Sequence, residues 1–393
     1  MSQAVDAVVR ELLGPLLCAQ SSGARWRLLS WDVDQGITLT LSRGERLLFV
    51  ELSPRDDAGP AFARTRRFNL TARPAFTGGA PLSPEERAVV TQLAQLVAAR
   101  EGALPVVARP AATRQSLVRE IEVDRVLVAE GAGHYYINPY VGCMIGCEFC
   151  WAATNADLSR ALEGLPELAW GRWVDVKVNA PEVLRRELAA HEPGVVRMSP
   201  VVTDPYQPLE RKYRVTRGCV RELGDAGFSP AILTREARVL EDAPLLARCP
   251  GAAVGLSIPT DDDAVREAFE PAASPIEERL GALRGLAAAG LRTFVIVQPV
   301  LPMNPARLVE QIAPYVRAVR IDRMHARARS RHLYERAGRL DAMSDEFAAA
   351  TEAALRDGFR AKGVAVDELD DLAAALAAGD AAPAARGSTS RDG

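Results

Sequence analysis

Apolar and polar positions change their rhythm twice along this chain. Near the start, RWRLLSW (25–31), GITLTLS (36–42) and RLLFVEL (46–52) alternate or run apolar at strand length, with the short polar pieces DVDQ and RGE between them. That pattern predicts an antiparallel meander. A helix follows, with Ser83 as N-cap, Pro84 at the first helical position and Glu86 closing a capping box. Val90, Leu93, Leu96 and Val97 then fall on one face of it. The stretch EGALPVVARPAATRQ (101–115) reads as a linker. From about 120 the texture becomes one of short apolar runs alternating with helical patterns, the rhythm of repeated βα units on a parallel sheet. The predicted strands are YYINPYV (135–141), VVRMSPVV (195–202), SPAILT (229–234), AAVGLSI (252–258), RTFVIVQPV (292–300) and RAVRID (317–322). Predicted helices include PEVLRRELAAH (181–191) and PIEERLGALRGLAAAG (275–290). Six such units make either a partial barrel or an open doubly wound sheet, and in both the ligands gather at the carboxyl ends of the strands. Residues 345–363 read as a helix stopped by Gly363. The tail 377–393 has little apolar area to bury and reads as disordered. The expected organisation is α/β: a small α+β domain over 1–105, a linker over 106–119, a core over 120–365 and a tail over 366–393.

Composition narrows the class without naming it. The chain has 393 residues, 48% apolar and 25% charged, which suits a soluble globular protein. A formal net charge of −3 carries no message about a polyanionic partner. Asp6, Arg10 and Glu11 interrupt the N-terminal apolar positions, so no signal or transit peptide is expected. No run reaches the roughly 18 apolar residues of a membrane span, and a cytoplasmic address is the expectation.

The chemistry is concentrated in YINPYVGCMIGCEFCWA (136–152), where Cys143, Cys147 and Cys150 occupy one loop after a predicted strand. Gly142 and Gly146 let that loop wrap closely. A structural zinc site wants four ligands, usually in two pairs, whereas Cys18, Cys219 and Cys249 are single and scattered. A [4Fe–4S] cluster held by three thiolates leaves one iron free of protein ligands, able to chelate the amino and carboxylate groups of a small molecule. Three buried thiols packed as small hydrophobes are the alternative.

CMIGCEFC resembles the Cys-x3-Cys-x-aromatic-Cys signature of the radical S-adenosylmethionine (radical SAM) superfamily, with Phe149 as the aromatic. The resemblance continues through VDVKVNAPEVLRREL, VTDPYQPLERKYRVTR, AILTR, GLSIPT, FEPAASPIEERLGALRGLAAAG and QPVLP, in the order of the branch that includes spore photoproduct lyase. It covers about 120 to 365. It implies a partial (β/α)6 radical SAM barrel, a [4Fe–4S] cluster on Cys143, Cys147 and Cys150, and S-adenosylmethionine (SAM) cleaved to a 5′-deoxyadenosyl radical. It also implies an external one-electron reductant of the flavodoxin or ferredoxin type. SAM contacts are implied for Thr203, Asp204, Gln207 and Glu210 after the second strand, Arg235 after the third, Ser257 after the fourth and Gln298 with Pro299 after the fifth. Relatives often carry Lys where Arg235 stands; a guanidinium can take the same carboxylate bidentately. Phe149 and Trp151 would shield the site, and His134 and Tyr135 are candidates to face it. Each of these polar positions has a plain turn or core reading beside the functional one.

Substrate is not legible. RIDRMHARARSRHLYERAGR (320–339) holds seven arginines, which suits an anionic or nucleic-acid substrate, or else a solvated face paired with acids. ARTRRFNLTAR (63–73) adds a second basic patch. Besides a radical SAM enzyme of unidentified substrate, the alternatives are a spore photoproduct lyase-like DNA repair enzyme and a non-catalytic iron–sulfur sensor or interaction protein. The lyase reading lacks the cysteine that such enzymes carry just before the Thr-Asp pair: here the chain reads MSPVVTD.

Overall fold

The computed structural model describes residues 26–32, 37–44, 46–54, 68–74, 81–100 and 116–366, apart from 132, 151, 154–155, 157–159, 161–163, 200–201 and 325–326. Cys18, Trp151, His325, the linker up to 115 and the tail from 367 lie outside the described residues.

Four antiparallel strands open the fold: β1 (Arg27–Asp32), β2 (Ile37–Arg43), β3 (Arg46–Pro54) and β4 (Phe68–Pro74), paired in that order. The alternation in β2 and β3 sends Ile37, Leu39, Leu41, Leu48, Val50 and Leu52 to one buried face. The helix Pro84–Arg100 covers that face with Leu93 and Val97. Its capping box forms as the sequence predicts: Ser83 N donates to Glu86 Oε2 (2.7 Å) and Glu86 N to Ser83 Oγ (3.3 Å). Residues 68–73 of the basic stretch belong to strand β4, and Arg73 lies over the Phe49 ring at 5.0 Å.

The larger sheet has eight strands. β6 (Val128–Gly131) runs antiparallel at one edge, followed by β7 (His134–Tyr136), β10 (Val195–Met198), β11 (Ser229–Thr234), β12 (Ala253–Ser257), β13 (Arg292–Val297), β14 (Ala318–Ile321) and the two-residue β15 (Ala365–Val366), all parallel. Each new strand is added on the same side of the one before. A doubly wound sheet would reverse that order at a switch point; this one does not, so the six predicted units form a partial (β/α) barrel with unjoined edges. Helices such as Ala180–Leu188, Val215–Asp225, Ile276–Ala288, Pro305–Ile312 and Asp345–Ala361 return the chain between or beside strands, and one continuous core joins them to the sheet.

Two expectations are revised. The segment 135–141 is not one strand. After β7 the chain leaves the sheet, and β8 (Tyr140–Val141) joins β9 (Trp173–Lys177) and β5 (Leu117–Ile121) in a separate three-stranded sheet. Pro139 lacks the N–H that a continuous ladder needs, and its carbonyl accepts Lys177 N at 3.3 Å instead. The stretch assigned to a linker up to 119 therefore already contains part of β5, tied to β9 by a two-bond pair between Arg119 and Asp175 (2.7 Å each). The switch of sheets aims the chain after β8, with its three cysteines, across the carboxyl ends of the parallel strands.

The N-terminal sheet lies against the open edge strand β6, with β1 beside it. Arg125 donates to Trp31 O (2.8 Å) and stacks over that indole at 4.7 Å. Covering a sheet edge in this way removes a pairing template.

Asn179, just before the helix Ala180–Leu188, holds Val123 by both its side-chain atoms: it accepts from Val123 N and donates to Val123 O, both at 2.9 Å. Asn179→Ala should cost about 2 kcal/mol, the loss of two hydrogen bonds with their backbone partners left half-buried, read as a lowered urea midpoint with an unchanged slope.

Candidate functional site

The cysteine loop is shaped by two left-handed glycines. Gly142 has φ +84° and Gly146 φ +62°. A Cβ on Gly142 would lie 2.5 Å from Trp173 O, and one on Gly146 would lie 2.8 Å from Gly171 Cα. Neither position has room for a side chain, and both need a conformation that other residues adopt only at a cost.

The loop is then clamped from β10. Thr203 Oγ1 donates to Gly142 O (2.7 Å), and Gln207 Nε2 reaches the same carbonyl (3.3 Å) and Thr203 Oγ1 (2.8 Å). Gln207 Oε1 accepts Met144 N at 2.9 Å. One amide side chain thus fixes the backbone on both sides of Cys143.

Cys143 and Cys147 are buried and Cys150 is half-buried, packed with Ile145, Ala273, Phe149 and Trp170. Burial pushes the Cys143 thiol up to about 12, with Asp204 adding to it. Burial also raises Cys147 and Cys150, while Arg235 pulls both the other way. Among the described residues, no three His, Cys, Asp or Glu side chains converge as a single-ion site requires. A four-iron cluster differs, because each thiolate takes its own iron and the ligands stand apart.

Behind the loop runs a buried charged network. Asp204 accepts Tyr206 N (2.9 Å) and Thr234 Oγ1 on one oxygen and Arg235 N (2.8 Å) on the other. Burial raises its pKa against these hydrogen bonds. Arg235 donates from Nε to Glu270 (2.8 Å) and from Nη2 to Gln298 O (3.2 Å), and its guanidinium stands 5.8 Å from the Phe149 ring centroid. Burial disfavours its charge, yet Cys147, Glu270, Cys150 and Asp204 together hold it firmly protonated. Glu270 is fully buried, 4.0 Å from Cys147 Sγ, and pairs also with Arg279 (2.5 Å). Arg279 in turn donates to Ser257 O at 2.9 Å.

The sequence-predicted positions therefore separate into groups. Asp204, Arg235, Gln298 and Ser257 sit at the ends of successive strands β10 to β13 and are joined by this network. Thr203 and Gln207 hold the cysteine loop. Glu210 has another occupation: its carboxylate takes Tyr140 OH, Thr216 N (3.0 Å) and Arg217 N (2.9 Å), capping the helix Val215–Asp225. Tyr135 turns its hydroxyl to Glu192 O (3.1 Å) and its ring to Phe228, a core role. His134 is in β7, paired with Val195 of β10. Cys219 and Cys249 belong to the main core. Glu270 and Arg279 escaped sequence reading. Their only signal was the acid of FEP and the arginine of EERL, which look like an ordinary helix end and helix face.

Six of the seven arginines at 320–339 prove to be paired; the Arg329 side chain lies outside the described residues. Arg320 meets Asp322, Arg323 meets Glu352, Arg327 meets Asp345, Arg331 meets Glu335, Arg336 meets Glu148 and Arg339 meets Asp341. Three of these acids, Glu148, Asp345 and Glu352, are remote in sequence, which is why the run looks unbalanced there. Glu148, between the second and third cysteines, is also held by His332 at 3.0 Å, so the helix Arg331–Arg336 straps the loop from outside.

Residues 137–313 match the family model described as the Radical SAM superfamily. This stretch is a radical SAM domain. Its relatives include an uncharacterised protein of Methanocaldococcus jannaschii, 30% identical over 43% of this chain and 61% of its own length. An uncharacterised protein of Mycobacterium tuberculosis is 31% identical over 43% of this chain and 50% of its own length. A radical SAM Nalpha-GlyT isomerase of Pseudomonas phage M6 is 26% identical over 42% and 33% respectively. The chain thus spans from a third to three fifths of these relatives' lengths. Among solved structures, a spore photoproduct lyase mutant is 17% identical, covering 63% of this chain and 80% of that one at a TM-score of 0.45. Among the described residues of the radical SAM domain and its surroundings, no helix is long and apolar enough to cross a membrane.

Gly142→Ala should lower stability by at least about 2 kcal/mol, combining a left-handed backbone with a clash against Trp173. Gly290→Ala, at φ +78° with nothing within 4 Å of a Cβ, carries only the backbone cost, about 1 kcal/mol. Urea denaturation of the two variants side by side checks the difference.

Proposed function

We propose that the protein is a radical SAM enzyme in which Cys143, Cys147 and Cys150 hold a [4Fe–4S] cluster beside SAM at the carboxyl ends of β10 to β13. The observation that carries this reading is the tight glycine turn that presents three cysteines above the strand ends of a radical SAM domain. The donor set fits the group: three soft thiolates suit iron–sulfur chemistry. When bound, the cluster supplies the electron that splits SAM into methionine and a 5′-deoxyadenosyl radical able to take a hydrogen atom from a substrate.

The chain's own residues bind, orient and shield. Thr203 and Gln207 fix the loop backbone so that Cys143 is held in place before any ligand arrives. Arg235 has Nε and Nη2 engaged, which leaves Nη1 for the carboxylate of the methionyl group. Asp204 keeps a free lone pair on its oxygens for the methionyl amino group. Ser257 and Gln298 line the ribose and adenine side. Phe149, packed on Phe269 at 6.3 Å, closes the site to water on the side of the third cysteine. Glu210 is left out of the cofactor set because its oxygens are spent on the helix cap. A flavodoxin- or ferredoxin-like protein would deliver the electron. The pairing of Arg320 to Arg339 with acids, and the core positions of Met198 and Val202 where a repair lyase would carry its cysteine, favour a substrate other than damaged DNA.

Anaerobically reconstituted protein given dithionite and SAM should form 5′-deoxyadenosine, and the Cys143→Ala, Cys147→Ala, Cys150→Ala triple variant should form none. Arg235→Ala should weaken SAM binding by tenfold or more, with Arg235→Lys recovering part of it. A wild type that forms no more 5′-deoxyadenosine than the triple variant would overturn the reading.

A further inference from the structure

A second concentration of arginines lies outside the site described above. The loop after β10 and the loop after β11 enclose a half-open cleft lined by Tyr206, Glu210, Arg211, Arg214, Arg217, Arg238, Glu241 and Asp242. Unlike the run at 320–339, these arginines are largely unpaired. Arg217 meets Asp242, which also accepts Tyr206 OH at 3.0 Å. Arg211 and Arg214 are exposed and make no side-chain hydrogen bond or ion pair among the described residues. Arg238 Nε is buried with no hydrogen-bond partner at all. A buried donor left unmade is a cost that a ligand acceptor would remove.

The backbone adds a second sign. Arg214 is the one non-glycine residue with positive φ, +53°, among the described residues. It stands between the short helix Glu210–Tyr213 and the helix Val215–Asp225, where a glycine would be easier to accommodate. The strained position keeps a guanidinium at the mouth of the cleft. Four guanidiniums stand against the three carboxylates of Glu210, Glu241 and Asp242, so cationic groups remain in excess in the cleft. That excess favours an anionic occupant. Guanidinium forks bind phosphate oxygens two at a time.

The geometry points to this cleft as a binding site for the phosphate group of a small phosphorylated molecule, a phosphomonoester or a diphosphate. The arginines gather round a single concavity, whereas a nucleic-acid backbone would need a stripe of charge, and in the long run at 320–339 six of the seven arginines are already paired with the protein's own acids. Tyr206 forms the buried wall of the cleft and lies two residues from Asp204, so the occupant is held on the same rim as the candidate cofactor site. Binding requires neither the cluster nor SAM, so its outcome is separate from that of the radical SAM reading.

Titration calorimetry of the full chain at low salt, with inorganic pyrophosphate as the probe, tests this. Saturable binding at one site per chain is expected, weakened tenfold or more by Arg238→Ala and by Arg214→Gly. The glycine variant relieves the positive φ while removing the charge, so its melting temperature should hold or rise, and a loss of affinity there is not a loss of fold. Absence of saturable binding, or binding that both variants leave unchanged, overturns the proposal. So does a short DNA duplex that binds through the same two arginines more than tenfold tighter than pyrophosphate, since the site would then belong to a polymer.

Discussion

The site rests on one carbonyl. Gly142 turns the chain with a positive φ and points its oxygen at Thr203 and Gln207, which sit in the segment that follows β10. That carbonyl, together with Gly142 N donating to Val202 O at 3.2 Å, ties the start of the cysteine loop to the segment after β10. With it, the loop inherits the rigidity of the sheet, and Gln207 extends the grip to Met144. The glycine is obligatory because Trp173 fills the space where a side chain would go. Trp173 in turn belongs to β9, so the small sheet made when the chain abandons β7 is what backs the loop.

Charge organises the other half of the site. Glu270 lies fully buried between Arg235 and Arg279, an arrangement that is expensive to desolvate and worth keeping only where its geometry serves something else. Here it holds Arg235 at the end of β11 beside Cys147 and Cys150. Burial works against the thiolate forms of Cys147 and Cys150, and the Arg235 guanidinium beside them works for those forms. The same electrostatic logic separates the two arginine groups on the surface. The run at 320–339 spends itself on Glu148, Asp345 and Glu352, among others, and so braces the fold. The cleft at 211–238 leaves three of its four guanidiniums unspent.

Much of this was legible in the sequence because local rules carried it. The capping box at Ser83 and Glu86, the alternation in β2 and β3, the βα rhythm and the helix stop at Gly363 each depend on residues close together in the chain, and each formed as expected. The cysteine spacing with its two glycines was visible for the same reason. What escaped depended on distant partners. YYINPYV has the apolar texture of one strand, and only the demand of β9 for a neighbour divides it at Asn138 and Pro139. Glu210 looked like a cofactor contact beside Thr-Asp-Pro until Tyr140 and the start of the next helix claimed it. Glu270 and Arg279 carry no motif of their own; their importance comes from tertiary placement next to Cys147 and Ser257.

Everything proposed for this site depends on the cysteine loop being a three-thiolate cluster site. The most direct measurement is the iron and sulfide content of anaerobically reconstituted full-length protein, with the electron paramagnetic resonance spectrum of its reduced form before and after SAM. About four irons and four sulfides per chain, with a reduced-cluster signal that shifts when SAM is added, are predicted. A single tightly held zinc, no stoichiometric metal, or a cluster signal indifferent to SAM would contradict it.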